Sequence, residues 1–259
     1  MEVILISIIF SFVASLLSSM LGGGFGLISV PTIYWVLVHY YPHFDHKMQI
    51  TITTGSACAI ILGLFSSIKH YKYNNIDFCL YKKIILYMIV GVLTAVIAMN
   101  FVHSDIIKRF FSVIVFLTGL WMLRFNINNV NIVNISNYLM KFISVLLGFI
   151  SCFIGISVFN VPFFVKQGVN IKKAIGTSGL LVFSYSTIGA VSLISTGIIR
   201  NGISGSHIGY LITPIFISAI IPCYLGSMVG AKMVNLFSPK QLKNLFVSML
   251  FIVAFLMVI

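Results

Sequence analysis

The sequence predicts an all-α polytopic membrane protein built from two inverted repeats of about five elements each, roughly 8–10 transmembrane segments, with Gly/Pro-broken helices or re-entrant hairpins among them. Three observations predict it. The 259 residues are 59% hydrophobic and 8% charged, with mean hydropathy +1.11, whereas a soluble domain carries about 25% charged residues. Apolar runs of spanning length recur along the chain. A Gly- and Pro-bearing stretch near the start returns, altered, in the second half.

In chain order, residues 3–41 are long enough for two elements with "LGGGFGLISVP" (Leu21–Pro31) between them. Apolar runs follow at 48–68, 84–102 and 110–123. The Asn-rich stretch "NINNVNIVNISN" reads as a linker over 126–137, dividing an N-terminal repeat (1–125) from a C-terminal repeat (138–259). In the second half, residues 142–165 lie between Lys141 and Lys166 and suit one span or two short pieces; runs at 174–199, 207–231 and 244–259 complete the set. Ser104 in "SDIIKRFF" and Ser238 in "SPKQLKNLF" are placed to cap helices. The chain opens with Met1 and Glu2 and no basic n-region, so its first segment is expected to stay rather than be cleaved as a signal peptide.

Aligned on proline, "LGGGFGLISVP" pairs with "CFIGISVFNVP" (Cys152–Pro162), matching Gly24 with Gly155, Val30 with Val161, Pro31 with Pro162, and polar Ser29 with Asn160. After each proline come a loop with a basic residue and then a small-polar cluster, "TITTGSA" (Thr51–Ala57) and "AIGTSGL" (Ala174–Leu180). Cytoplasmic loops collect Lys and Arg. Counting each Gly/Pro region as a pair of elements leaves Lys47, Lys108, Arg109 and Arg200 on one side and the other twelve of the 16 basic residues on the opposite side. Counting each region as one span gives a nearly even split, so five plus five is preferred. An odd number of elements per half inverts the second half, with both termini facing outward. That parity holds equally for re-entrant hairpins.

Interrupted elements at matching positions of inverted repeats point to a transporter's binding site. Gly22, Gly23, Gly24 and Gly26 allow positive φ and close approach, Pro31 suits a new helix, and exposed helix N-termini attract anions. Gly22 and Gly26, four apart, fit a helix-packing surface equally well. The second copy offers Gly155, Ser157, Asn160 and Pro162. Thr53, Thr54 and Ser56, with Thr177 and Ser178, add hydroxyls that either cap a helix or coordinate an oxyanion.

The acids Glu2, Asp45, Asp77 and Asp105 all lie at the chain start or in loops, which argues against a carboxylate proton relay. His39, His43 and His46 surround Asp45 and read as interfacial or gating residues rather than metal ligands. Cys58, Cys152 and Cys223 read as packing residues, with Cys79 beside a loop and no ligand spacing. No cofactor is expected, because GxGxxG and P-loop patterns fail; no GxSxG elbow signals a hydrolase. The net charge of +12 follows the loop bias, and no nucleic-acid partner is expected.

"LGGGFGLISVP", the small-polar clusters and "SSIKHYKYNNID" (Ser66–Asp77) together resemble the TauE/SafE sulfite exporter family of membrane permeases along nearly the whole chain. The sequence departs from that pattern at Phe25, at Ser157, at Gly55–Ser56, and at Asn75 in place of a loop glycine. The resemblance implies a multi-pass protein of the cell (inner) membrane that transports a small sulfur-containing anion, often outward. The bilayer and the anion are its expected partners, and a homo-oligomer is compatible with it. An intramembrane enzyme or a non-transporting scaffold is the alternative.

Overall fold

The computed structural model describes residues 1–124, 135–155, 157, 159–203, 205–234 and 236–258. Among these, ten helices carry the fold: α1 (Glu2–Leu21), α2 (Phe25–Tyr40), α3 (Lys47–Lys72), α4 (Phe78–Met99), α5 (Ser104–Arg124), α6 (Asn137–Phe153), α7 (Asn160–Lys166), α8 (Ile171–Asn201), α9 (Thr213–Met233) and α10 (Pro239–Val258). Five of the described helices, α1, α3, α4, α8 and α9, are long and apolar enough to cross a membrane; α2 and α6 are shorter apolar helices. The protein is a multi-pass membrane protein, and both ambiguous regions, 3–41 and 142–165, fold as two helices each. Most of the proposed linker lies outside the described residues.

Local chemistry sets several boundaries. Asp77 accepts from the Leu80 N–H at 3.0 Å to start α4, and Asn170 accepts from Lys172 at 2.9 Å to start α8. Ser238 caps α10 as expected, accepting from the Gln241 N–H at 3.3 Å while Gln241 Oε1 accepts from the Ser238 N–H at 2.9 Å. Ser104 instead opens α5 as its first residue and ties it to α3, accepting from the Met48 N–H and donating to Gln49 Oε1 at 2.8 Å.

One expectation needs correction in detail. The apolar run 207–231 is not helical throughout: His207–Ile208 and Leu211–Ile212 pair as a short antiparallel hairpin before α9. Gly209 turns it at φ 58°, where its backbone meets Ile194 and Gly197 of α8. Pro214 then sits in the first turn of α9, where its missing N–H leaves nothing unpaired. In the α3–α4 loop, where Asn75 departs from the family's glycine, the residue in the left-handed conformation is Asn74 (φ 53°). Asparagine tolerates that conformation, while Asn75 is buried and donates its N–H to the His70 carbonyl at 2.9 Å.

The long helices α3 and α8 run antiparallel through the middle, with Gly63 against Phe183 and Gly179 against Ser66. Around them, α1 packs on α9 and α4 on α6; α3 also meets α9 and α8 meets α4; α2 lies on α3 and α7 on α8; and α5 pairs with α10. Exchanging the first five helices for the last five turns each of these pairings into another on the list or into itself.

Hydrophobic burial drives little helix association within lipid, so small residues that admit close approach do the work. Gly226 and Gly230 of α9 meet Phe12, Ser15 and Leu16 of α1, where Ser7, Ser11 and Ser15 form a buried stripe. On the other side Gly91 faces Val145 and Phe149, and Gly148 faces the Met88 carbonyl. A side chain at either glycine would occupy the partner's backbone. Gly148→Val is therefore expected to destabilise the protein by about 3 kcal/mol, read as a lowered midpoint of thermal unfolding in detergent. An unchanged midpoint would show that α4 and α6 do not rely on this contact.

Candidate substrate site

α1 ends where Gly22, Gly23 and Gly24 take φ of 72°, 153° and 103° in succession, conformations that L side chains rarely adopt. The Gly23 N–H bonds the Ser18 carbonyl at 3.0 Å, closing α1, and the Leu27 N–H bonds the Gly24 carbonyl at 2.9 Å, opening α2. The second break runs from Gly155 (φ 75°) to α7, which starts at Asn160.

The two breaks interlock. A Cβ on Gly23 would lie 2.6 Å from Ser157 Oγ, and one on Gly22 would lie 2.7 Å from Val161 Cγ2 and 2.8 Å from Ile175 Cα. In the reverse direction, Gly155 faces Val30 and Ile52. Ser178 donates its hydroxyl to the Gly22 carbonyl, so a backbone oxygen freed by the break is satisfied by α8.

Between them lies a central cavity of about 20 Å³, walled by α2, α3, the α6–α7 break and α8. Ser56 and Ala59 enter it from the middle of α3, and Tyr185 and Ser186 from the middle of α8. That volume holds about one water, so a polyatomic anion fits only when the walls move apart. Its lining contains no charged side chain among the described residues. Hydroxyls supply the polarity, those of Tyr185, Ser151 and Ser157 among them.

Of the residues singled out in sequence, Gly26, Ser56, Gly155 and Ser157 line this cavity. Gly22, Gly23 and Gly24 shape the break beside it. The threonines serve neighbouring backbone: Thr53 donates to the Gln49 carbonyl at 2.7 Å, Thr54 accepts from the Ile212 N–H at 3.1 Å, and Thr177 accepts from the Asp77 N–H at 2.8 Å. Pro31 lies along a lateral groove between α2, α5 and α10, and Pro162 is buried within α7.

Asn160 is fully buried and neither atom of its amide has a partner. The same holds for the hydroxyl of Ser29, which lines the cavity. Each stands two residues before the proline of its break. Ser29 was legible as the repeat partner of Asn160; Ser151, Tyr185 and Ser186 were not singled out. The signal for the last two is helical spacing, seven and eight residues beyond Ser178 on α8.

Cys58, Cys152 and Cys223 are buried and Cys79 is exposed. His43, Asp45 and His46 sit with Arg200 and His207 in a separate polar cleft; among the described residues no three His, Cys, Asp or Glu gather as a metal site.

A family model described as sulfite exporter TauE/SafE matches residues 7–257. The chain belongs to the TauE/SafE family. Two relatives named as probable membrane transporter proteins are each 24% identical to it. One, from Haemophilus influenzae, aligns over 97% of this chain and 96% of its own length; the other, from Methanocaldococcus jannaschii, over 97% and 94%. No solved structure matches. Membership in a transporter family makes this a membrane transporter of the cell membrane, and the relatives' names point to transport rather than catalysis.

The hydrogen bonds separate structural hydroxyls from free ones in this TauE/SafE chain. Thr177→Val would leave the Asp77 N–H without its partner and is expected to cost about 1–3 kcal/mol of stability. Thr53→Val removes only a bond within its own helix and is expected to cost well under ~1 kcal/mol. Paired thermal-unfolding curves check the order, and equal losses would contradict it.

Proposed function

We propose that this chain is a permease for a small anion, with sulfur-containing anions such as sulfite or an organosulfonate as the substrate class, bound between the two interlocked breaks. We read residues 1–125 and 138–259 as inverted copies; the exchange symmetry of the helix pairings and the antiparallel course of α3 and α8 support this. Binding sites of such transporters lie near the bilayer midplane where the repeats meet at discontinuous helices.

The observation that carries the reading is the pair of unpaired polar residues, Ser29 and Asn160. Leaving a buried donor unsatisfied costs about 1–3 kcal/mol. Two such groups at matching positions of two breaks are accounted for by a ligand that both contact in the transport cycle. An oxyanion suits them, accepting from the Ser29 hydroxyl and the Asn160 amide NH₂. A hydrolase fits less well: among the described residues no His, Asp or Glu lines the cavity beside Ser56 to accept a proton from a nucleophile.

Ser29→Ala and Asn160→Leu test this in proteoliposomes loaded with sulfite. Each is expected to lower flux at least about tenfold, equivalent to ~1.4 kcal/mol of lost interaction. Each should leave thermal stability unchanged or raise it by about 1 kcal/mol, because removing an unpaired buried group relieves its desolvation cost. Wild-type flux in both variants would remove these residues from the site.

A further inference from the structure

We propose that the central site selects singly charged oxyanions and rejects doubly charged ones of similar size; this rests on the permease reading above. Every described residue that lines the cavity is neutral. Its polar side chains are the hydroxyls of Ser29, Ser56, Ser151, Ser157, Ser186 and Tyr185. Phe25 and Gly26, the first turn of α2, also reach it, and the N-terminal dipole of a helix this long acts as roughly +0.5 of a charge. The buried, unpaired hydroxyl of Ser29, one turn further along α2, lines the same space.

The cations on the two long helices that wall the cavity stand far along them. On α3, Ser56 stands about 13 Å along the axis from Lys47 and about 20 Å from Lys69. On α8, Tyr185 stands about 18 Å from Lys173 and about 22 Å from Arg200. Lys108 is held over the Tyr34 ring, 5.4 Å from its centroid, in the lateral groove.

A site made of dipoles and hydroxyls meets a limit that a lysine or arginine would remove. The cost of taking an ion out of water grows with the square of its charge, whereas its attraction to fixed dipoles grows only in proportion. Doubling the charge raises the penalty about fourfold and the compensation about twofold. One charge is within reach of the α2 terminus and its hydroxyls; a second one is not.

The experiment uses the intact protein in phosphatidylethanolamine–phosphatidylglycerol vesicles, comparing uptake of methanesulfonate, singly charged at every working pH, with uptake of sulfate, which is doubly charged. Methanesulfonate is expected to enter at least tenfold faster at equal concentration. Uptake of sulfite should fall as pH rises and hydrogensulfite loses its proton, while methanesulfonate uptake stays level. Ser56→Lys should narrow the gap between methanesulfonate and sulfate; the comparison on the unaltered protein stands alone where that variant does not fold. Equal uptake of methanesulfonate and sulfate overturns charge selection and leaves the permease reading standing. Uptake of neither, and of no sulfite at any pH, overturns both.

Discussion

A helix broken at membrane depth frees backbone N–H and C=O groups that lipid cannot satisfy, and the organisation of this protein follows from covering two such breaks. Each break is covered chiefly by the other. Gly23 lies against Ser157, Gly22 against Val161 and Ile175, and the Gly22 carbonyl receives the Ser178 hydroxyl. Contact this close needs backbone without side chains on at least one partner, which the first break supplies with three consecutive glycines. The second has Gly155 alone at positive φ among its described residues, and Ser157 occupies the position that Gly26 holds in the first. The asymmetry is complementary: glycine on one side makes room for a side chain on the other.

The remaining helices hold this arrangement in place. α3 and α8 supply walls to the cavity and also anchor distant backbone through their small-polar clusters. Thr54 reaches the Ile212 N–H at the end of the hairpin, and Thr177 reaches the Asp77 N–H at the start of α4. Close glycine contacts then seat α1 on α9 and α6 on α4 outside that pair. Several other buried polar atoms, among them those of Ser19 and Thr51, also lack a partner, and what sets Ser29 and Asn160 apart is that they stand at matching positions of the two breaks.

Much of this was legible in the sequence because repetition carries information that one copy does not. Gly24 with Gly155 and Pro31 with Pro162 pointed to both breaks, and the same alignment paired Ser29 with Asn160, although nothing in the sequence shows that their side chains are left unpaired. Thr53, Thr54, Thr177 and Ser178 read in sequence as either helix-capping or oxyanion-coordinating, because sequence cannot tell a hydroxyl that faces a cavity from one that bonds backbone; here all four bond backbone. Tyr185 was not singled out because α8 carries serines and threonines around much of its circumference, so the spacing that puts Tyr185 on the face of Ser178 does not stand out from the rest. The 207–212 hairpin was hidden for a related reason: a short apolar run reads alike as helix or strand. Its turn depends on Gly209 meeting α8, a contact distant in sequence from the residues it shapes.

The interlock also constrains how the cavity can enlarge. Room for about one water lies between the breaks, and the Val30–Gly155 and Gly23–Ser157 contacts both join one break to the other. Moving one break away from the other therefore loosens both contacts together. Each break is also fastened to a long helix, the first to α8 through Ser178 and the second to α3 through the packing of Gly155 on Ile52. A local flap would have to leave the Gly22 carbonyl unpaired in a low-dielectric interior, whereas a rigid shift that carries α8 along with the first break keeps that bond. The second course costs less, because it leaves no backbone oxygen unpaired.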